Sequence, residues 1–178
     1  MIELQPLEEK DFDRLIEWVE SPEFLMQWAG PAFTYPLDKS QLGQHLESAQ
    51  GENSDKVVYK AVDTDTDEVV GHIEWSHIDR QNQNARLSRV LIAPDARGGG
   101  SGTEMVKEMV RLGFEEFEFH RIELHVFEFN KGAIACYEKA GFQKEGLIRE
   151  ARKFGNEFWS AYRMSILESD WLEEAESL

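Results

Sequence analysis

The sequence predicts an α/β (α+β) fold in which about seven strands form a mostly antiparallel sheet flanked by helices. Three observations support this prediction. Seven short runs of branched and aromatic residues are bounded by polar turns, which is typical of strands. Segments with a 3.6-residue apolar period stand between several of these runs and predict amphipathic helices. One of the runs leads through a cluster of glycines directly into such a helix.

The strands follow one another across short polar segments. Residues 63–67 and 79–84 are polar turns, so the second, third and fourth strands are predicted to be antiparallel neighbours. Gly155 and Asn156 predict a hairpin turn between the last two strands. The predicted strands are residues 2–7, 56–62, 68–78, 85–93, 121–127, 145–154 and 157–167.

Helices are predicted where apolar residues recur at helical spacing and where capping residues mark the ends. Asn130 is a suitable N-cap, and Gly141 supplies a left-handed C-terminal residue. Residues 22–37, which are rich in aromatic residues and proline, are predicted to form a loop. The predicted helices are a first one (Phe12, Leu15, Ile16 and Val19) that ends at Pro22, residues 38–50, residues 102–119, a helix after Asn130, and a short helix capped near Ser169 or Asp170.

Length and composition predict one globular domain that spans residues 1–178. Hydrophobic residues make up 41% of the chain and charged residues 30%, both within the usual range of globular proteins. The sequence shows neither a signal-peptide core nor an apolar run long enough to span a membrane. Cys136 is its one cysteine, so no internal disulfide is expected and we expect the protein in the cytoplasm.

The formal net charge of −16 disfavours nucleic acid and anionic membranes as partners, because phosphate contacts need clustered lysine and arginine. The same charge favours cationic partners such as amines or basic peptides. The alternative is that the acidity serves only solubility, since charge by itself does not define a binding site.

Four glycines within residues 98–102 follow a strand that Pro94 ends, and a helix begins directly after them. Backbone N–H groups at a helix start lack internal partners, and together with the helix dipole they bind phosphate where no Cβ obstructs the approach. The segment fits neither the Walker pattern nor G-x-G-x-x-G, because Thr103 and Glu104 follow Gly102. A tight connection without a ligand is the alternative interpretation.

The pattern Arg97-x-x-Gly100-x-Gly102 resembles the coenzyme A pyrophosphate motif, R/Q-x-x-G-x-G/A, of the GNAT N-acetyltransferases. Residues 130–142 resemble the second signature of that family, N-x-x-A-x-x-x-Y-x-x-x-G-F. The resemblance covers nearly the whole chain and implies the GNAT fold, a mixed, mostly antiparallel sheet of about seven strands that is splayed at its middle. Three segments resemble the branch of ribosomal-protein N-terminal acetyltransferases (RimJ/RimL): residues 71–73, 149–151 and 164–167.

The resemblance implies acetyl-CoA as the co-substrate, and no metal is implied because the histidines form no recognisable cluster. The pantetheine arm would pair with unpaired backbone groups of Val90, Leu91 and Ile92, as a peptide strand would. Asn130 would contact the cofactor through its amide, or serve only as a helix N-cap. The family often has a basic residue at the position of Gly99. The residues that would hold the pyrophosphate are Arg97, Gly98, Gly99, Gly100, Ser101, Gly102 and Thr103.

Tyr137 matches the tyrosine that the family places near the coenzyme sulfur, and it would protonate the departing thiolate; an aromatic packed on the sheet is the alternative. The base is less well defined, because residues 85–88 lack the glutamate that some members place there. Glu74 is the nearest candidate, acting through water, and His72 would point to the same face of its strand. A solvated strand glutamate is the alternative for Glu74. Cys136 is interpreted as a core residue.

Three aromatic residues are candidates for an acceptor slot: Trp28, Tyr35 and Trp75, with core packing as the alternative for each. The predicted activity is direct transfer of the acetyl group to a primary amine, either a protein N-terminus or a small amine such as a polyamine, amino acid or aminoglycoside. The rival is a non-catalytic acyl-CoA-binding sensor or interaction module on the same fold, which the missing glutamate favours and the retained signature residues disfavour. Exposed aromatic side chains would permit a homodimer.

Overall fold

Seven strands, all within one sheet, run through the computed structural model, which describes residues 1–177. The strands are β1 (Ile2–Pro6), β2 (Val57–Asp63), β3 (Glu68–Asp79), β4 (Asn84–Ile92), β5 (Arg121–Phe127), β6 (Gln143–Phe154) and β7 (Glu157–Leu167). Across the sheet they lie in the order β1-β2-β3-β4-β5-β7-β6. Every neighbouring pair is antiparallel except β4 and β5, which run parallel. The predicted mixed, mostly antiparallel sheet is therefore confirmed.

The helices lie on both faces of the sheet. They are α1 (Phe12–Trp18), α2 (Pro22–Ala29), α3 (Lys39–Ser48), α4 (Ser101–Glu115), α5 (Lys131–Lys139) and α6 (Glu168–Glu176). On one face, apolar residues of α1, α2 and α3 pack against Val58 of β2 and Leu91 of β4. On the other face, α4 and α5 pack on alternate residues of the central strands, such as Ile73 and Ile122. None of the helices within residues 1–177 is long and apolar enough to cross a membrane.

The sheet is splayed between β4 and β5. The two strands pair only from Asn84 to Arg86, opposite Arg121 to Glu123, and then separate. The antiparallel pairing of β4 with β3, in contrast, continues to Ile92. The splay that the family resemblance implied is thus present in the strand ladder.

A bulge in β4 accompanies the separation. The register with β3 shifts between His72, opposite Leu91, and Glu74, opposite Ser88. Within this bulge Arg89 has a φ of 49°, an uncommon backbone conformation for a residue with a side chain. The indole Nε1–H of Trp28 donates to the Arg89 carbonyl at 2.9 Å, so α2 fixes the bulge from one face. A bulge bends its strand, and this one lies in the part of β4 that no longer pairs with β5.

The predicted loop over residues 22–37 is wrong for its first half, where α2 forms. Ser21 caps this helix, because its Oγ accepts a hydrogen bond from the Phe24 N–H at 3.1 Å. Pro22 stands at the first helical position, where the missing N–H costs nothing. Pro22 therefore begins a helix here, whereas α1 already ends at Trp18.

Two other helix ends differ from the predictions. The predicted helix 102–119 ends earlier, at Glu115. The last helix begins at Glu168, before the predicted cap. Asp170 lies within the first turn of this helix. Its carboxylate accepts a hydrogen bond from the Leu167 N–H at 3.0 Å, so it pairs a backbone donor at the start of the helix.

Candidate active site

Beyond Arg86, β4 is paired on one side only. Pairing with β5 ends at Arg86 and Glu123, and no other strand among the described residues bonds to the β5-facing edge of Val90, Leu91 and Ile92. A free strand edge is a place where an extended ligand can add its own amide groups. The family resemblance implies the pantetheine arm at this edge, and no strand of the described residues occupies it.

The glycine turn leaves its backbone accessible. Gly98 and Gly100 have φ angles of 80° and 91°, in the left-handed region that suits glycine. A Cβ added at either residue would meet nothing within 4 Å, so the protein itself does not fill the space beside the turn. The amide of Glu104 donates to the Gly100 carbonyl at 3.1 Å, and the amides before it have no intrahelical acceptor. They and the positive end of the 15-residue helix α4 are arranged to bind an anion.

Arg97 is held beside this turn by two contacts. Its Nε donates to the Ile92 carbonyl at 3.1 Å, and its guanidinium lies 5.5 Å from the ring centroid of Phe24. The cation therefore stands at the end of β4 and directly before the glycines. This order of open strand edge, arginine and glycine turn fits a ligand with an amide-bearing arm that ends in a pyrophosphate.

Helix α5 packs beside the start of α4. Thr103 Oγ1 donates to Cys136 Sγ at 3.6 Å, so the two helices meet at the glycine turn. Burial raises the pKa of the Cys136 thiol, which disfavours the reactive thiolate and agrees with a packing role. Asn130 caps α5, because its Oδ1 accepts the Ala133 N–H at 3.3 Å. This bond uses the carbonyl of the side chain and leaves its NH₂ group for a ligand.

Tyr137 is buried between α5 and the sheet, with its ring 6.0 Å from that of Phe142 in an edge-to-face contact. Burial raises the pKa of the phenol, so the hydroxyl stays protonated at neutral pH. Both predictions for this residue are compatible with this arrangement, since the phenol is a packed aromatic group and also a proton donor.

Glu74 lies on the opposite face of the sheet, together with His72, as their spacing in β3 predicts. The Glu74 carboxylate is fully buried, and each of its two oxygens has a guanidinium or imidazole neighbour. Oε1 accepts a hydrogen bond from Arg89, and Oε2 lies 2.9 Å from Nε2 of His45 on α3. Nε2 of His72 lies 3.4 Å from the same Oε2, without the geometry of a hydrogen bond. We call Glu74, Arg89, His45 and His72 the Glu74 cluster.

The Glu74 cluster stabilises the charged form of the carboxylate. Burial by itself raises the pKa of Glu74, but the contacts with His45 and His72 and the charge of Arg89 outweigh it and lower the pKa below its usual range. A carboxylate with such a low pKa accepts a proton poorly. The lowered pKa therefore disfavours the predicted role of Glu74 as a base. It is compatible with a role in which the ionised carboxylate orients its neighbours.

The predicted acceptor aromatics lie in different places. Trp28 is buried beside the Glu74 cluster, with its ring 5.4 Å from that of His72 and 6.0 Å from that of Phe33. Tyr35 is 41% exposed, and its hydroxyl donates to the Glu20 carbonyl at 3.2 Å.

Trp75 requires a correction. It is fully buried and faces α4 on the other side of the sheet, where an added Cβ at Gly113 would approach its ring to 2.9 Å. Trp75 belongs to the core and not to a slot with Trp28 and Tyr35.

Sequence reasoning missed His45 and Arg89. His45 falls inside a correctly predicted helix, and nothing in its spacing marks it as the partner of a residue 29 positions away. Arg89 was read as part of a regular strand, and no sequence signal marks the bulge that turns its side chain toward Glu74. Within the described residues, no group of three or more His, Cys, Asp or Glu side chains is arranged to hold a metal.

Comparisons with known proteins agree with this geometry. Residues 2–143 match the acetyltransferase (GNAT) domain family. An uncharacterized N-acetyltransferase, p20, of Bacillus licheniformis is 28% identical over 171 residues, which cover 94% of this chain and 93% of that protein. The spermidine N(1)-acetyltransferase of Vibrio cholerae is 29% identical over 108 residues, which cover 61% of this chain and 62% of that protein.

A solved structure shares the fold. The crystal structure of spermidine N-acetyltransferase from Vibrio cholerae in complex with CoA and spermine superposes with a TM-score of 0.83 at 23% identity, covering 96% of this chain and 98% of that one. The fold and the family match together define the class: the chain belongs to the GNAT acetyltransferase family. It is an N-acetyltransferase that moves an acetyl group from acetyl-CoA to an amine.

Replacement of Glu74 tests the electrostatics of this site. We expect Glu74→Gln to lower the free energy of unfolding at neutral pH by about 3 kcal/mol, because Arg89 then loses its partner in a buried position. A carboxylate with a lowered folded-state pKa contributes stability above its unfolded pKa, and this contribution is lost as the pH falls below about 4.3. The gap between wild type and variant should therefore narrow in acid. Urea unfolding of both proteins at neutral pH and at a pH below about 4.3 measures this difference in the free energy of unfolding.

The matched control is Glu17→Gln, an exposed residue of α1, which should stay within about 0.5 kcal/mol of wild type. A Glu74→Gln variant as stable as this control at neutral pH, or a gap that does not change in acid, would contradict the ion-pair account.

Proposed function

We propose that the acceptor is a small polycationic amine of the polyamine class. Two findings support this: similar proteins are named spermidine N-acetyltransferases, and this chain carries a net charge of −16. An acidic protein attracts cations over distances near the Debye length, which raises their concentration at the surface. The exposed Glu20 and Glu23 lie at the entry to α2, where Tyr35 contacts the Glu20 backbone. Carboxylates beside an aromatic ring suit an alkyl chain that carries several ammonium groups.

In this proposal acetyl-CoA supplies the acetyl group as a reactive thioester, and the chain supplies binding and proton transfer. Val90, Leu91 and Ile92 pair through their backbone with the pantetheine arm. The pyrophosphate is held by the amides of Gly98, Gly99, Gly100, Ser101, Gly102 and Thr103, and by Arg97, with the Asn130 amide as a further donor. One β4 N–H at the bulge donates to the oxygen that becomes negative during transfer, an interaction worth about 3 kcal/mol in comparable sites.

Tyr137 acts as the general acid that protonates the leaving sulfur. Support comes from its match to the family signature and its position in the helix that contacts the glycine turn. The acceptor amine comes from the α1–α3 face, where Trp28, Tyr35 and the Glu74 cluster lie.

A protein N-terminal amine is the second candidate acceptor. The resemblance of residues 71–73, 149–151 and 164–167 to the RimJ/RimL branch supports it. We further propose that the chain acts as a single domain in the cytoplasm, without nucleic acid or membrane as partner, which the charge and the single cysteine support. The exposed Phe129 and Phe158 support a homodimer.

An acceptor panel tests the proposed function by release of the CoA thiol from acetyl-CoA. The panel contains spermidine, spermine, peptides with free N-termini, amino acids and aminoglycosides. We expect kcat/KM for spermidine to exceed that for peptides by about tenfold or more, and to fall as ionic strength rises, because salt screens the attraction. Butylamine, a primary amine with one charge, is the matched control and should react more slowly than spermidine.

Peptides as the best acceptors would instead support the RimJ/RimL branch. Tight acetyl-CoA binding without turnover on any acceptor would support the sensor hypothesis.

Tyr137→Phe tests the general acid. The substitution removes only the hydroxyl, so we expect kcat to fall about 10²-fold while the Kd for acetyl-CoA stays unchanged. Steady-state kinetics and calorimetric titration measure the two quantities. Tyr59→Phe on β2, a half-buried tyrosine remote from the splay, is the control and should change neither. If kcat of Tyr137→Phe equals that of wild type, Tyr137 is only a packed aromatic residue and another group protonates the sulfur.

A further inference from the structure

We propose that His45 is the proton acceptor for the attacking amine and that Glu74 is its positioning residue. This inference rests on the proposed function and assigns the base that the sequence left undefined. The role of base, which the sequence analysis gave to Glu74, passes to His45, and Glu74 positions the imidazole.

The contact between His45 and Glu74 selects the imidazole tautomer. Nε2 of His45 lies 2.9 Å from Oε2 of a carboxylate that is fully buried and ionised, so Nε2 carries the proton and donates it. Nδ1 then has the lone pair and is the basic atom. The structure records no hydrogen bond at Nδ1 within residues 1–177, and the side chain is 11% exposed. The imidazole is thus fixed by the hydrogen bond at Nε2, and Nδ1 is available to accept a proton.

The surroundings fix the ring and leave Glu74 no room to act directly. Phe33 packs edge-on against the imidazole at 5.2 Å between centroids. Both oxygens of Glu74 are occupied, Oε1 by Arg89 and Oε2 by His45. A water or an amine would have to displace one of these partners to reach the carboxylate. His45 is the one member of the Glu74 cluster that lies on a helix over the sheet and not on the sheet itself.

The strand register brings the Glu74 cluster to the strand that borders the opening. Glu74 stands opposite Ser88, two residues beyond Arg86, where the pairing of β4 with β5 ends, and directly before the bulge at Arg89. Adjacent strands lie about 4.8 Å apart, so a ligand that takes the place of β5 beside β4 lies about two strand spacings from β3. In this proposal the amine enters between that edge and His45 and gives its proton to the imidazole directly or through one water.

Apart from His45 itself, the charged and titratable groups of the Glu74 cluster and next to it come from β2, β3 and β4, and from Asp11 directly before α1. Glu74 and His72 lie on β3 and Arg89 lies on β4. Lys60 on β2 is next to His72 in the ladder and is paired with Asp11 at 3.1 Å. Glu74 with Arg89, and Asp11 with Lys60, are opposite charges in contact, so His45 has no unpaired charge among these neighbours.

The proton balance of the step is complete. An ammonium acceptor gives up two protons on its way to the amide: the first passes through His45 to solvent before attack, and the second goes to Nδ1 as the C–N bond forms. The C–S bond breaks as the sulfur takes a proton from Tyr137. Solvent then restores both side chains, and one proton is released overall.

His45→Gln tests the proposal by kcat, KM and their pH dependence. We expect kcat for the best acceptor to fall about 10²-fold with KM for acetyl-CoA unchanged. A general base takes part in the reaction only in its deprotonated form, so the pH profile of kcat should differ between wild type and variant. His120→Gln, an exposed histidine beside Glu168, is the matched control and should match wild type.

A second variant distinguishes a chemical role from a structural one. His45→Ala removes the imidazole, and added imidazole should restore activity in a saturable manner, which no loss of packing would allow. If wild type acetylates an acceptor while His45→Gln keeps its kcat and pH profile, and imidazole has no effect on His45→Ala, the inference is wrong and the proposed function stands. If wild type acetylates no member of the panel, both are wrong.

Discussion

The early end of the pairing between β4 and β5 is the constraint on which the rest of the site depends. Two neighbouring parallel strands inside a sheet would form backbone hydrogen bonds along their whole length. Here β4 and β5 pair at three residue positions only. The bulge at Arg89 lies just beyond the last of these pairs, and two interactions fix its conformation. Trp28 binds the Arg89 carbonyl from α2, and Glu74 binds the Arg89 side chain from β3. An open strand edge inside a protein is therefore maintained by buried polar contacts that compensate for the lost ladder bonds.

The opening between β4 and β5 also connects the two faces of the sheet, which carry different candidate site residues. The glycine turn and Tyr137 belong to the face covered by α4 and α5. His45 and Trp28 belong to the face covered by α1, α2 and α3. A continuous sheet would separate these groups, whereas under the proposed function the splay lets the thioester lie on one face and the amine approach from the other. The candidate site residues on the two faces therefore lie around the same opening in the sheet, although few of them are in contact.

Residue type and turn chemistry predicted all seven strands, because runs of branched and aromatic residues are bounded by polar or glycine-rich turns. The glycine motif predicted the anion site for a local reason: a backbone without Cβ followed by a helix start is visible in the sequence. The first half of segment 22–37 was misread, because a proline after a polar residue is compatible with a turn and with a helix start. Trp28 and Trp75 were grouped together because α2, which carries Trp28, was predicted as a loop. Trp75 follows Glu74 directly in β3, so the period of two already places the two side chains on opposite faces.

The Glu74 cluster lay beyond sequence reasoning for a different reason. Its members come from α3, β3 and β4, and their meeting depends on the packing of a helix over a bulged strand. Period two placed His72 and Glu74 on one face, but it gave no sign of the cationic and imidazole neighbours that lower the pKa of Glu74. Long-range contacts of this kind depend on the tertiary fold.

The most direct test of the account is backbone hydrogen exchange with and without acetyl-CoA. If the open edge of β4 and the glycine turn hold the co-substrate, amides within residues 87–103 should exchange more slowly when acetyl-CoA is present, while amides of the peripheral strand β6 should not change. Unchanged exchange in residues 87–103 at saturating acetyl-CoA, or protection confined to another surface, would contradict the claim that the splay is the binding site.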